Sequence, residues 1–243
     1  MSIETPFTRD NLNEYLKALA KEFRRLNGIK MPAEIILIGG AAILAKYGFR
    51  ELTYDIDAVI IASSAMKEAI NNIGDRFNLP QGWLNTDFKQ TGSYSNKLHE
   101  VSVYYKTFSN ILQVSTVDAE YLVAMKLMSG RRYKNDISDV YGILWEHQKN
   151  GKPLSKAKIE QAIIALYGDV ANIPDNSNRL LEKAFDDGDF ESLYKQSRAD
   201  EKEAKEILLE FEEKYPHTLK SENIDIVLEQ MKQKRDAALP KES

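Results

Sequence analysis

Two aspartates two residues apart, Asp55 and Asp57, lie shortly after a glycine pair, Gly39-Gly40. The stretch Thr53–Ile61, polar at its start and apolar at its end, predicts a strand, in which alternate side chains share a face, so both carboxylates project together. Paired carboxylates raise one another's pKa unless a cation lies between them. Mg²⁺ suits such a pair, because it takes one or two protein carboxylates and leaves positions for triphosphate oxygens and water. The glycines supply a complementary half. A strand ending in Gly-Gly lets backbone approach a ligand closely, and a helix behind it points free N–H groups and its positive dipole end at an anion. Arg50 and Thr53 lie between the two elements and could orient the same polyphosphate. Alone, a Gly-Gly pair is usually a turn and an Asp-x-Asp edge is usually solvated. Their order along the chain is what points to a metal-assisted nucleotide site.

The elements that must position these residues are readable from periodicity. Leu12, Tyr15, Leu16, Leu19, Ala20 and Phe23 recur at helical spacing over Asn11–Asn27, with Thr8 or Asp10 as cap. Glu34–Ile38 reads as a buried strand, Ala41–Tyr47 as a helix, Ser63–Phe77 as a helix, and 78–96 as loop. Val101–Tyr105 and Ile111–Thr116 read as strands joined by a turn at Thr107–Asn110. From Asp118 onward the pattern is helical: Ala119–Ser129, Ile137–Lys149, Ser155–Tyr167, Ser177–Phe185, Phe190–Lys214 and Ser221–Ala237. Strands first and helices afterwards predict an α+β fold, a core over residues 1–117 followed by an all-helical C-terminal region over 118–243. Trp83 reads as an anchor of the 78–96 loop, with base stacking as the other reading.

Composition limits the chemistry. The 243 residues include no cysteine and three histidines, which removes disulfides, thiolate zinc sites and a multi-histidine metal centre. No apolar run reaches the roughly 18–20 residues that span a bilayer, and Met1–Asp10 is polar, so no membrane association and a cytoplasmic location are expected. The net charge of −4 is uneven: residues 186–243 hold 16 acidic and 10 basic side chains, which leaves a small positive excess on 1–185. Lys126, Arg131, Arg132 and Lys134 form a run free of acids, either a solvated helix end or a contact for a polyanion.

The run IGGAAILAKYGFRELTYDIDAVI (Ile38–Ile60) resembles the signature of the DNA polymerase β-type nucleotidyltransferase superfamily, more narrowly its AbiEii/MenA toxin-like minimal branch. VSTVDAEYLVAMKLMSGRRYKNDISDVYGIL (Val114–Leu144) resembles the helical segment of the same proteins. The likeness runs from Glu34 to Leu144. It implies a nucleotidyltransferase-like mixed sheet flanked by helices, with 118–150 completing the active site. On that likeness Gly39 and Gly40 open the nucleotide site, and Ala41 stands where the family often has a hydroxyl. Asp55 and Asp57 bind Mg²⁺, Lys126 reaches the triphosphate, and Arg131 helps to neutralise the leaving pyrophosphate. Asp136 is the later acidic residue, with Asp139 as alternate. Asp136 is equally suited to cap the helix that follows it. A third carboxylate, common on a later strand in the superfamily, has Glu100 as its candidate. The implied activity is Mg²⁺-dependent transfer of NMP from an NTP to a macromolecule, either RNA such as tRNA or a protein hydroxyl. The chain would then be the toxin of a toxin–antitoxin pair with a cognate antitoxin as partner. The other classes are a small-molecule, antibiotic-type nucleotidyltransferase, for which Asp87 and Glu100 could line an acidic acceptor pocket, and an inactive relative that binds a nucleotide or a partner.

Overall fold

The computed structural model describes residues 6–131, 134–220 and 223–238; Arg132 and Ser221, named above, lie outside them. Five strands form one mixed sheet: β1 (Ala33–Leu37), β2 (Ile56–Ile61), β3 (Leu84–Asn85), β4 (Ser102–Phe108) and β5 (Leu112–Val117), in the order β3-β2-β1-β5-β4. The central strand, β1, pairs antiparallel with β2 and parallel with β5. Its register sets Leu37 opposite both Ala58 and Thr116, and the Ile38 amide continues the ladder to the Asp57 carbonyl at 3.1 Å. The end of β1 and the start of β2 therefore meet at one end of the sheet. That meeting brings the glycines and aspartates together.

The helices are α1 (Arg9–Asn27), α2 (Gly39–Lys46), α3 (Ala65–Phe77), α4 (Ala119–Ser129), α5 (Asp136–Lys149), α6 (Lys156–Tyr167), α7 (Asp175–Asp187), α8 (Phe190–Lys214) and α9 (Ile224–Ala238). In α1 the six periodic apolar residues are all buried, and Thr8 and Asn11 cap it reciprocally. The helix packs on α3, while α4 packs against α2, α5 and α6. One continuous apolar core runs from Phe7 to Phe190, and a smaller cluster of Ala204, Ile207, Leu208 and Leu228 joins α8 to α9.

The observed elements correct the sequence expectations in several places: α2 takes in Gly39 and Gly40 as its opening residues, and β4 runs on to Phe108, through the start of the expected turn. The second strand begins at Ile56, not Thr53: Thr53 instead bridges backbone to backbone with Phe7, which leaves Asp55 just ahead of the strand. The 78–96 segment contains β3, which pairs parallel with β2 and sets Asn85 opposite Asp57. Trp83, 3% exposed, anchors that segment by donating its indole N–H to the Ile70 carbonyl and packing on Phe7 and Tyr15. The cap residue of α5 is Asn135, with Asp136 the first residue inside the helix.

The loop that carries Arg50 is held by aromatic packing. Phe49 rests on Tyr47 and Tyr194, and the Tyr194 hydroxyl donates to the Phe49 carbonyl. Gly142 of α5 makes room for that ring, since a Cβ there would lie 2.5–2.8 Å from three Phe49 carbons. Replacing a mid-helix glycine by alanine ordinarily gains up to about 1 kcal/mol of helix propensity. Here the overpacking cost, typically 1–3 kcal/mol, outweighs it. Gly142→Ala is expected to lower the melting temperature, and an unchanged or raised midpoint in a thermal scan would contradict this packing.

Candidate active site

A cleft of about 560 Å³ opens at the end of the sheet where β1 and β2 meet. Gly39, Gly40, Asp55 and Asp57 line one side, and Lys126 and Arg131 contribute from α4 and the turn after it. Gly39 has φ +54°, a left-handed conformation that favours glycine, and a Cβ there would lie 3.8 Å from Asp57 Oδ2. The backbone of the first helical turn thus sits directly against the carboxylate. Ile38, the residue before α2, makes no side-chain cap bond, so the opening amides of that helix keep their donors for a ligand. Ala41 is buried and offers backbone only.

The second glycine has a different reason. A Cβ on Gly40 would lie 2.6 Å from Thr53 Oγ1 and 2.8 Å from an Arg50 guanidinium nitrogen, so Gly40 is the floor on which both side chains rest. Thr53 Oγ1 donates to Asp55 Oδ1 at 3.2 Å and thereby orients the first aspartate. Asp55 is exposed and Asp57 half-buried. Burial, and then the neighbouring charge of Asp55, raise the Asp57 pKa; a hydrogen bond from Asn85 and the more distant Lys134 and Arg131 pull it back. The Asn85 Oδ1 accepts from the Asp87 amide at 2.9 Å, which turns its amide nitrogen toward Asp57.

The same cleft holds a chain of ion pairs. Lys126 Nζ is 2.8 Å from both Asp136 Oδ1 and Asp139 Oδ2. Arg131 Nε donates to Asp136 Oδ2 at 2.8 Å, and Arg50 donates to Asp139 Oδ1 at 2.7 Å. Three cations thus share two aspartates. Burial alone would raise the Asp136 pKa, but Lys126 and then Arg131 overcome it and hold the carboxyl well below its ordinary value. Burial likewise opposes charge on Lys126, and Asp136 and Asp139 outweigh it, so its pKa is raised. Lys126 itself is among the residues that line the cleft, and its ammonium has one donor more than its two carboxylate partners.

A family model described as a nucleotidyltransferase of unknown function (DUF6036) matches residues 14–147, more than half of the chain. The chain belongs to this nucleotidyltransferase family. No curated protein and no solved structure matches it. The matched segment contains the glycine pair, the two aspartates and the whole chain of ion pairs.

Of the residues singled out in the sequence, Gly39, Gly40, Arg50, Thr53, Asp55, Asp57, Lys126, Arg131 and Asp136 all line this cleft. Asp139 stands behind it, 3% exposed and bound to Lys126 and Arg50. Glu100 is exposed, ahead of β4, and does not line the cleft. The position beside Asp57 on the neighbouring strand is held by an amide, Asn85, rather than a third carboxylate. Sequence reasoning missed Asn85, Tyr54 and Lys205. The last two meet at the cleft mouth, Lys205 Nζ lying 5.4 Å from the centre of the Tyr54 ring. Tyr54 could have been suspected from its place beside Asp55. Lys205 carries no local signal, being one of many charged residues on a long polar helix.

The acid pair fits a hard divalent cation. Its donors are all carboxylate oxygens, and the two acids repel each other without a cation between them. Among the described residues no group of three or more His, Cys, Asp or Glu is arranged to hold a metal. A pair leaves most coordination positions open to phosphate oxygens and water, as Mg²⁺ prefers.

Proposed function

We propose that the cleft binds an NTP with Mg²⁺ and transfers its NMP unit to a hydroxyl on a macromolecular acceptor, RNA such as tRNA being the favoured class. One observation carries this reading: an aspartate pair, an uncapped helix N-terminus and a chain of cations border a single cleft. In-line displacement at the α-phosphorus needs positioning and charge neutralisation more than covalent help from the protein. Mg²⁺ on Asp55 and Asp57 would supply Lewis-acid polarisation of the phosphate. The α2 amides hold phosphate oxygens, and Lys126 and Arg131 offset charge on the departing pyrophosphate.

Four carboxylates line the cleft among the described residues. Two form the metal pair. Asp136, ionised and bound by two cations, is a poor proton acceptor; its part is to aim Lys126 and Arg131. Asp87, exposed on the cleft wall, is left to take the proton as the acceptor oxygen forms its bond to phosphorus and the bond to pyrophosphate breaks.

The mouth favours a polyanionic acceptor over a cationic small molecule. Lys134 and Lys205 are exposed there, and Tyr54, 45% exposed, offers a ring on which a base can stack. Kinship with the AbiEii/MenA-like toxins rests on the order of motifs, and on that reading an antitoxin is the expected protein partner. The test is incubation with each α-labelled NTP, MgCl₂ and total RNA, followed by separation of RNA, protein and small molecules. Label on RNA is the expected result. Label confined to a small cationic acceptor, or NTP binding with no transfer to anything, would overturn it.

A further inference from the structure

Helix α5 carries both aspartates of the ion chain, yet its own cap residue, Asn135, makes no side-chain bond to the amides of the first turn, which have no partner within the helix. That bond comes from α8. Glu201 accepts from the Ser138 amide at 3.0 Å and, in a second and shorter bond, from Ser138 Oγ. Ser138 is fully buried and Glu201 is 5% exposed, so the contact is sealed from water. Ser138 lies between Asp136 and Asp139, two residues after one and one before the other. A carboxylate at this place satisfies an orphan donor and complements the positive end of the helix.

We propose that Glu201 is a positioning residue for nucleotide binding: by capping α5 from α8 it fixes Asp136 and Asp139, and through them Lys126, Arg131 and Arg50. The proposal rests on the reading above, in which those cations face the triphosphate. It extends the functional machinery to α8, beyond residues 14–147 that the family model matches.

Charge around the contact makes it responsive to pH. Burial pushes the Glu201 carboxyl up to about 7, against the two Ser138 bonds that favour its ionised form. Asp139, facing it from α5, pushes the same way, and Arg198 on α8 pulls it down. Tyr194, one helical stretch earlier on α8, senses Glu201 together with Asp139, Arg50 and Arg198. A protonated Glu201 can still accept from the Ser138 amide and becomes a donor through its O–H, but it no longer brings a negative charge to the helix end, so the cap weakens as pH falls through neutrality.

The test compares wild type with Glu201→Ala, Glu201→Gln and Ser138→Ala by two readouts. One is hydrogen exchange of the first-turn amides of α5 without substrate; the other is KM and kcat for Mg–NTP between pH 6 and 8.5. Glu201→Ala is expected to speed exchange and raise KM by roughly 2- to 30-fold at pH 8, the range a lost cap supports, with kcat little changed. In the wild type KM rises as pH falls below 7, and Glu201→Gln, which accepts but cannot ionise, flattens that profile. Ser138→Ala falls between the two, and with Glu201→Gln it carries the test if Glu201→Ala does not fold. Wild-type KM, pH profile and exchange in the Glu201 variants, or a lower melting temperature alone, would overturn the positioning role. Failure of the wild type itself to bind NTP would instead overturn the reading of the cleft, while exchange still reports on the cap.

Discussion

Asp57→Asn is expected to lower nucleotidyl transfer by about 10³-fold or more while making the substrate-free protein more stable. The two effects share a cause. Asp57 is half-buried beside Asp55, and burial and that neighbour raise its pKa. A carboxyl whose folded pKa lies above its unfolded value holds its proton more tightly in the folded chain. Its charge therefore costs no stability at low pH, and the full cost appears once the pH has risen above the folded value. At neutral pH an asparagine of the same shape removes that cost and keeps a group able to bond with Asn85. It also removes half of the oxygen pair, leaving Asp55 alone at the mouth. Thermal scans with and without MgCl₂ separate the consequences: without the metal the variant melts higher than wild type, and Mg²⁺ raises the midpoint of wild type but not of the variant. Transfer within tenfold of wild type, or equal stabilisation of both proteins by Mg²⁺, would remove the aspartate pair from the chemistry.

The meeting of the glycines and the acid pair was largely legible in the sequence, because the elements that create it are local. The order of strand, glycines, helix and acid pair is written within residues 34–61, and the α4 and α8 limits, Ala119–Ser129 and Phe190–Lys214, match the periodicity directly. What escaped depends on distant partners. Asp55 leaves the strand because Thr53 is engaged by Phe7, 46 residues earlier, a pairing that no alternation pattern encodes. The strand β3 is two residues long and is held by the burial of Trp83, so its local pattern is indistinguishable from loop. Gly40 reads as a phosphate notch, but its missing Cβ serves Thr53 and Arg50. Glu201 and Lys205 look like solvated charges on a helix with 25 residues. Only the packing of α8 on α5 and over the cleft gives them a role.

The same distinction decides what Lys126 does. Read from the sequence it is a cation for the triphosphate; in the structure it is first a buried partner of Asp136 and Asp139, which are 1% and 3% exposed. Lys126→Met keeps the apolar stem and deletes the charge. Asp136 keeps Arg131 and Asp139 keeps Arg50, so neither is orphaned, and the expected loss is about 3 kcal/mol, the low end for breaking a buried pair. Against a typical total of roughly 5–15 kcal/mol the variant still folds, so its kinetics can be measured. The pH dependence has a definite sign. The Asp136 pKa is lowered in the fold, so its stabilisation is present above the unfolded carboxylate pKa and is lost as pH falls through the folded value. Lys126, with a raised pKa, contributes fully below the unfolded lysine pKa and loses its contribution as pH rises through the folded value. Without Lys126 the acid limb of the stability curve therefore moves to higher pH and the alkaline limb flattens. Urea titrations carried below pH 3 and above pH 11 check both, and a cycle with Asp136→Asn isolates the pair term, since removing both partners leaves less unpaired charge than removing one. Stability within 0.5 kcal/mol of wild type, a margin below about the smallest coupling such cycles resolve, would mean that the ion chain does not hold the fold. A folded Lys126→Met protein with unchanged KM for NTP would leave that chain structural and hand the triphosphate to Arg131 and the α2 amides.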